Sequence, residues 1–90
     1  MRNANRHMNF KATIKILPRP ELLDPQGKTV GNNLKNIDIT GVSDVRIGKH
    51  VIMTLEAESK AEAEAKIEKA CKDLLANVIM ETYSYSLETV

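Results

Sequence analysis

The two histidines and the single cysteine, His7, His50 and Cys71, are the side chains best suited to a soft metal or to nucleophilic attack. A metal centre needs several such groups, or carboxylates, converging on one point. His7 lies in a polar N-terminal stretch, His50 beside an alternating apolar run and Cys71 on an apolar stripe of helical spacing, so nothing draws them together. Cys71 reads as a small core residue, because a reactive thiol needs a neighbouring base that the pattern does not supply. Glu58, Glu62, Glu64 and Glu68 resemble paired acid and base groups, but lysines at 66 and 72 alternate with them opposite the apolar stripe. That arrangement describes a solvated helix face. No phosphate loop, dinucleotide glycine fingerprint or serine elbow is present in the sequence. The sequence therefore predicts no catalytic, cofactor-binding or metal-binding residue.

The elements that carry these residues follow from periodicity. Phe10, Ala12, Ile14 and Ile16 alternate with Lys11, Thr13 and Lys15, the period of a half-buried strand ended by Pro18 and Pro20. In "LLDPQGKTVGNNL", Asp24 can cap a helix and Pro25 can open it, with Val30, Leu34 and Ile37 at helical spacing. Gly27 and Gly31 are unexpected there, each costing about 0.5–1 kcal/mol relative to alanine. "VSDVRIGKHVIMTLEA" predicts a hairpin in which Val45 and Ile47 pair with Val51, Met53 and Leu55 across a Gly48-Lys49 turn, the glycine supplying a positive φ. Ser59 to Glu62 form a capping-box sequence, followed by a stripe of Ala63, Ile67, Ala70, Cys71, Leu74 and Val78. Asn77 is expected to stop this helix in the left-handed conformation, before a last strand containing Tyr83, Tyr85 and Leu87.

The expected fold is α+β: a two-layer β-α-β-β-α-β unit with a mostly antiparallel four-stranded sheet and two helices on one face. Residues 1–8 read as a disordered tail and 9–90 as a single domain. Leu17, Ile52 and Ile79 on the uncovered side predict oligomerisation through sheets or edges. A chain of 90 residues has a thin stability margin by itself, which favours the same expectation. The net charge of +1, from 13 Lys and Arg against 12 Asp and Glu, gives no field for gathering nucleic acid or anionic lipid. The absence of aromatics from the predicted hairpin strands argues against base stacking. One cysteine and no apolar run of about 20 residues predict a cytoplasmic chain with no nucleic-acid or membrane partner.

Three blocks in order and with matching spacing, "LLDPQG" at 22–27, "VSDVRIGK" at 42–49 and "CKDLLANVIMETYSYSLE" at 71–88, resemble the PurS family from Met8 onward. That family is the small subunit of phosphoribosylformylglycinamidine (FGAM) synthase. The resemblance implies a non-catalytic subunit of a C–N ligase complex in de novo purine biosynthesis, where formylglycinamide ribonucleotide (FGAR) is amidated with glutamine and ATP. It implies a homodimer or tetramer bridging a PurQ-like glutaminase and a PurL-like synthetase and supporting ammonia transfer between them. ATP and Mg would belong to the large subunit, with no cofactor in this chain. The blocks place the expected docking residues at Asp24, Pro25, Gln26, Gly27, Arg46, Gly48, Lys49, Leu75 and Asn77. Gly27 and Gly31 would then admit another backbone, or else fit against the chain's own loop; Arg46 and Lys49 would form a charged rim or a solvated hairpin. The alternative function is a free-standing regulatory dimer of the ACT-like kind, binding a small molecule at its subunit interface.

Overall fold

The computed structural model describes residues 8–90. The expected tail lies outside the described residues except for Met8, which begins the first strand. β1 (Met8–Pro18) is the centre of a three-stranded antiparallel sheet of order β2-β1-β3, flanked by β2 (Lys49–Ala57) and β3 (Glu81–Thr89). Its register sets Ile14 opposite Val51 on one side and Tyr85 on the other. The predicted alternation of β1 holds: Phe10, Ala12, Ile14 and Ile16 are all buried. Such burial contributes about 1.5–3 kcal/mol for each large side chain.

α2 (Lys60–Ala70) covers that face. Ser59 caps it, accepting from the Glu62 N–H at 3.1 Å, while the Glu62 carboxylate accepts from the Glu58 N–H at 3.3 Å. Ala63, Ile67 and Cys71 pack onto β1, joined by the half-buried Val51, Met53 and Leu55 of β2 and Tyr83, Tyr85 and Leu87 of β3. The predicted stripe then breaks. Cys71–Leu75 form a π-helical turn, and its extra residue rotates the following side chains off the 3.6-residue period. Leu74 is consequently 81% exposed, and Leu75 and Ala76 take its place in the core. Asn77 does not end the helix in a left-handed conformation. The chain leaves α2 through extended Ala76, and Asp38 (φ 64°) is the positive-φ residue other than glycine among those described.

The fourth strand is absent from the described residues, and the hairpin with it. Val45 and Ile47 belong to an unpaired segment that precedes β2. The Ile47 N–H, which a strand would need, donates instead to the Asp24 carboxylate at 2.7 Å. Gly48 does not have positive φ; that conformation falls to Gly41, at 83°. Glycine is required at 48 because a Cβ would lie 2.3 Å from the Ile16 carbonyl oxygen, where the chain crosses the end of β1.

The helices also do not share one face. α1 (Pro25–Leu34) and the 3₁₀ turn after it (Lys35–Ile37) contribute nothing to either buried cluster. Gly27 is the buried residue of α1, and of the expected stripe Ile37 is 65% exposed. Residues 20–47 thus form a lobe apart from the sheet, and the molecule is elongated, 62 × 27 × 15 Å. On the uncovered sheet face Leu17 and Ile52 are exposed as expected, whereas Ile79 sits in the turn before β3. Among the described residues, no helix is long and apolar enough to cross a membrane.

Candidate functional site

Asp24 is placed by its role as N-cap of α1. Extended backbone at Asp24 turns its carboxylate over the helix start, where Oδ1 accepts from the Gly27 N–H at 3.1 Å, and Pro25 occupies the first turn where no donor is missed. Oδ2 accepts from the Ile47 N–H. These two N–H bonds, Ile47 first and Gly27 second, with the Arg46 guanidinium adding to them, hold the Asp24 carboxyl below its ordinary range. One acid therefore fixes both the start of the lobe's helix and the segment by which the chain leaves the lobe.

Arg46 performs the complementary task. Its Nη1 donates to the carbonyls of Leu22 at 2.8 Å and Arg19 at 3.2 Å, and Nη2 to that of Pro20 at 2.7 Å. Nε faces the Asp44 carboxylate at 3.3 Å. The planar fork thus spans three backbone carbonyls of a segment stiffened by Pro18 and Pro20. No hairpin is present among the described residues, so a solvated hairpin does not describe this residue. Gly27 completes the arrangement: a Cβ there would lie 2.0 Å from the Val45 carbonyl oxygen, so the backbone that approaches it is the chain's own. Gly31 is different, since a Cβ would meet Val45 Cγ2 at an ordinary 3.6 Å.

Lys49, Leu75 and Asn77 gather in a second cluster at the same end of the sheet. Lys49 Nζ donates to the Leu75 carbonyl at 3.3 Å and lies 3.8 Å from Glu81 Oε1. That carboxylate accepts from the Asn77 N–H at 2.9 Å, while Asn77 Oδ1 accepts from the Ile79 N–H at 3.1 Å. Two residues missed by the sequence reading complete this turn. Glu81 is one. Arg19 is the other: its backbone N–H donates to the Met80 carbonyl at 2.9 Å and its guanidinium to those of Ile79 and Val78. The one available signal was "LPRP", a lone arginine between two prolines at a strand end.

Eight of the nine expected docking residues therefore fall into two neighbouring clusters. Asp24, Pro25, Gln26, Gly27 and Arg46 lie at the neck of the lobe; Lys49, Leu75 and Asn77 lie at the end of α2; Gly48 stands between them against β1. Beside the neck is a hollow of ≈ 630 Å³ whose wall includes Asp24, Lys28, Asn32, Lys35, Asp44 and Arg46. Elsewhere, Glu68 Oε1 accepts from the Tyr83 hydroxyl at 2.6 Å, which holds the carboxyl low and pushes the phenol up to about 12. Cys71 is fully buried, and burial pushes its thiol up. No group of three or more His, Cys, Asp or Glu side chains able to hold a metal ion occurs among the described residues.

Comparison with known proteins places this geometry in a family. The PurS family model, described as phosphoribosylformylglycinamidine (FGAM) synthase, matches residues 11–89. The phosphoribosylformylglycinamidine synthase subunit PurS of Synechocystis sp. is 38% identical over 79 residues, spanning 88% of this chain and 79% of that protein. Bacillus subtilis PurS superposes with a TM-score of 0.79 at 33% identity, over 88% of this chain and 98% of its own. A chain in the structure of PurLQS from Thermotoga maritima gives a TM-score of 0.76 at 32% identity, over 91% of this chain and 98% of that one. The chain, with its central N-terminal strand and its lobe fastened by Asp24 and Arg46, belongs to the PurS family of FGAM synthase.

Proposed function

We propose that this chain is the small, non-catalytic subunit of an FGAM synthase assembly, associating as a homodimer or tetramer and bridging a PurQ-like glutaminase and a PurL-like synthetase. In this reading ammonia released from glutamine reaches FGAR without escaping to water, while ATP and Mg are held by the large subunit. The observation that carries the proposal is the likeness to a chain of PurLQS from Thermotoga maritima, which extends over 91% of this chain. The geometry supports it. Asp24, Arg46, Arg19 and Glu81 of the two clusters are engaged in holding backbone, and the Cys71 thiol is buried. A spacer that excludes solvent between two active sites is what such a transfer requires.

Within this reading the docking face is the exposed rim of the two clusters, Pro25, Gln26, Lys49 and Asn77, with Asp24, Gly27 and Arg46 setting its shape from beneath. The test is reconstitution: the chain is mixed with purified glutaminase and synthetase subunits, and glutamine-dependent FGAM formation is measured with each component omitted in turn. Amidation is expected with all three present. Equal glutamine-driven synthesis without this chain, or turnover by this chain alone, would overturn the assignment. Gln26→Arg then examines the rim, since Gln26 is exposed on α1; capture of the synthetase should fall while thermal stability is unchanged.

A further inference from the structure

Residues 20–47 lack the feature that keeps the rest of the molecule folded. Neither buried apolar cluster contains a residue between 18 and 48. Leu23 is 73% exposed, and within α1 only Gly27 is buried. Leu22, Leu34, Val45 and Ile47 are half-buried, but a segment with so little apolar burial opens at lower free energy than the core, provided nothing else fastens it. What fastens it is polar and lies at the neck: the Asp24 carboxylate joins the helix start to Ile47, and the Arg46 guanidinium joins the outgoing chain to the carbonyls of Arg19, Pro20 and Leu22. Both groups are only half buried, so water competes for their partners once they separate.

We propose that the two arms of residues 20–47, the incoming segment with α1 and the outgoing residues 42–47, part and rejoin on a latch made by Asp24 and Arg46, while the sheet and α2 stay folded. Opening breaks the bonds at the neck and withdraws Gly27 from the Val45 carbonyl, but exposes no residue of either apolar cluster. Asp24 and Arg46 are thus positioning residues for everything the lobe presents. The hollow beside the neck, walled on one side by α1 and on the other by residues 42–46, is the volume that such a motion would enlarge. This inference rests on the chain's own bonds and stands whether or not the chain bridges two other subunits.

Two variants separate latch from fold. Asp24→Asn keeps an N-cap of equal quality but replaces one of the two accepting oxygens by an amide donor, so Gly27 and Ile47 can no longer each have a separate oxygen. Arg46→Lys keeps the charge but cannot span three carbonyls. Amide hydrogen exchange of the full chain is followed by mass spectrometry of its peptides for wild type and both variants. In the wild type, peptides of 25–37 should exchange at least about tenfold faster than those of β1, and each variant should raise lobe exchange by a further tenfold or so, leaving β1 and α2 within about twofold of wild type. Should Asp24→Asn fail to fold, Arg46→Lys supplies the same reading. A wild-type lobe as protected as β1, acceleration of β1 and α2 in step with the lobe, or no acceleration anywhere would each overturn the proposal.

Discussion

In the sheet and α2, apolar side chains are removed from water beside the backbone ladders: Phe10, Ile14, Ile16, Ile67 and Cys71 are buried with almost no exposure. In the lobe the balance is reversed. Leu23 and Ile37 remain in solvent, and the segment is shaped by a carboxylate, a guanidinium and one glycine contact. The two regions differ in what a mutation can do to them. Apolar burial is spread over many neighbours and fails cooperatively, whereas a polar latch depends on donor and acceptor geometry and fails locally.

The largest effect is expected from Ile67→Ala, which deletes buried methylenes beside β1 and should cost about 2–4 kcal/mol in urea unfolding, seen by probes in both regions. A transition confined to the sheet would break the view that the lobe, which contributes to neither apolar cluster, cannot outlast the sheet. Gly27→Ala comes next. Its Cβ would collide with the Val45 carbonyl, and about 1–3 kcal/mol of loss should appear as faster exchange in the lobe rather than as a lower global midpoint. Gly31→Ala sharpens the contrast, because its Cβ meets ordinary contact distance and helix propensity improves, giving a gain of up to about 1 kcal/mol locally.

A smaller effect is expected at the Tyr83–Glu68 bond, which ties β3 to α2. The folded Glu68 carboxyl lies below its ordinary 4.5, so its contribution is present above that pH and is lost as pH falls. The Tyr83 phenol is raised from 10 to about 12, so its contribution is present below pH 10 and is lost as pH climbs toward 12. Absorbance titration should place one tyrosine near 12, and Tyr83→Phe should remove that phase and flatten stability at both extremes. The smallest effect is assigned to Lys69→Ala: its bond to Asp73 is highly exposed on both sides, and no measurable change in midpoint is expected.

β1, α2 and β3 were legible in the sequence because a buried face imposes its period on the side chains that form it. The lobe was not legible in the same way, for a physical reason. Val45 and Ile47 alternate as a strand does, but the donor that would pair Ile47 is taken by Asp24, a contact between residues 23 positions apart that no local pattern encodes. Gly48 was read as a turn because glycine most often answers a backbone dihedral, whereas here it answers the nearness of the Ile16 carbonyl. The stripe of α2 failed at Leu74 because one π turn shifts every later position by a residue. For the candidate site, Asp24, Gly27 and Arg46 were expected to dock a partner, and they lie together at the neck of the lobe, while the three blocks of resemblance pointed to the family that the comparisons establish. Their immediate partners were hidden, since carbonyls of Arg19, Pro20 and Leu22 leave no mark on residue type.

The position of β1 has a kinetic consequence. It precedes both of its partners in the chain yet is the middle strand of the sheet: Ile14 must wait for Val51, then for Tyr85, and Phe10 for Thr89. Phe10, Ile14 and Ile16 therefore have no complete partner surface until β3 has left the ribosome. Contacts of such long sequence separation slow folding and lengthen the interval in which an apolar strand is open to the wrong neighbour. A nascent chain stalled before residue 81 would carry β1 with one of its two edges bare, so it is the emergence of β3 that closes the second edge of β1 to other chains.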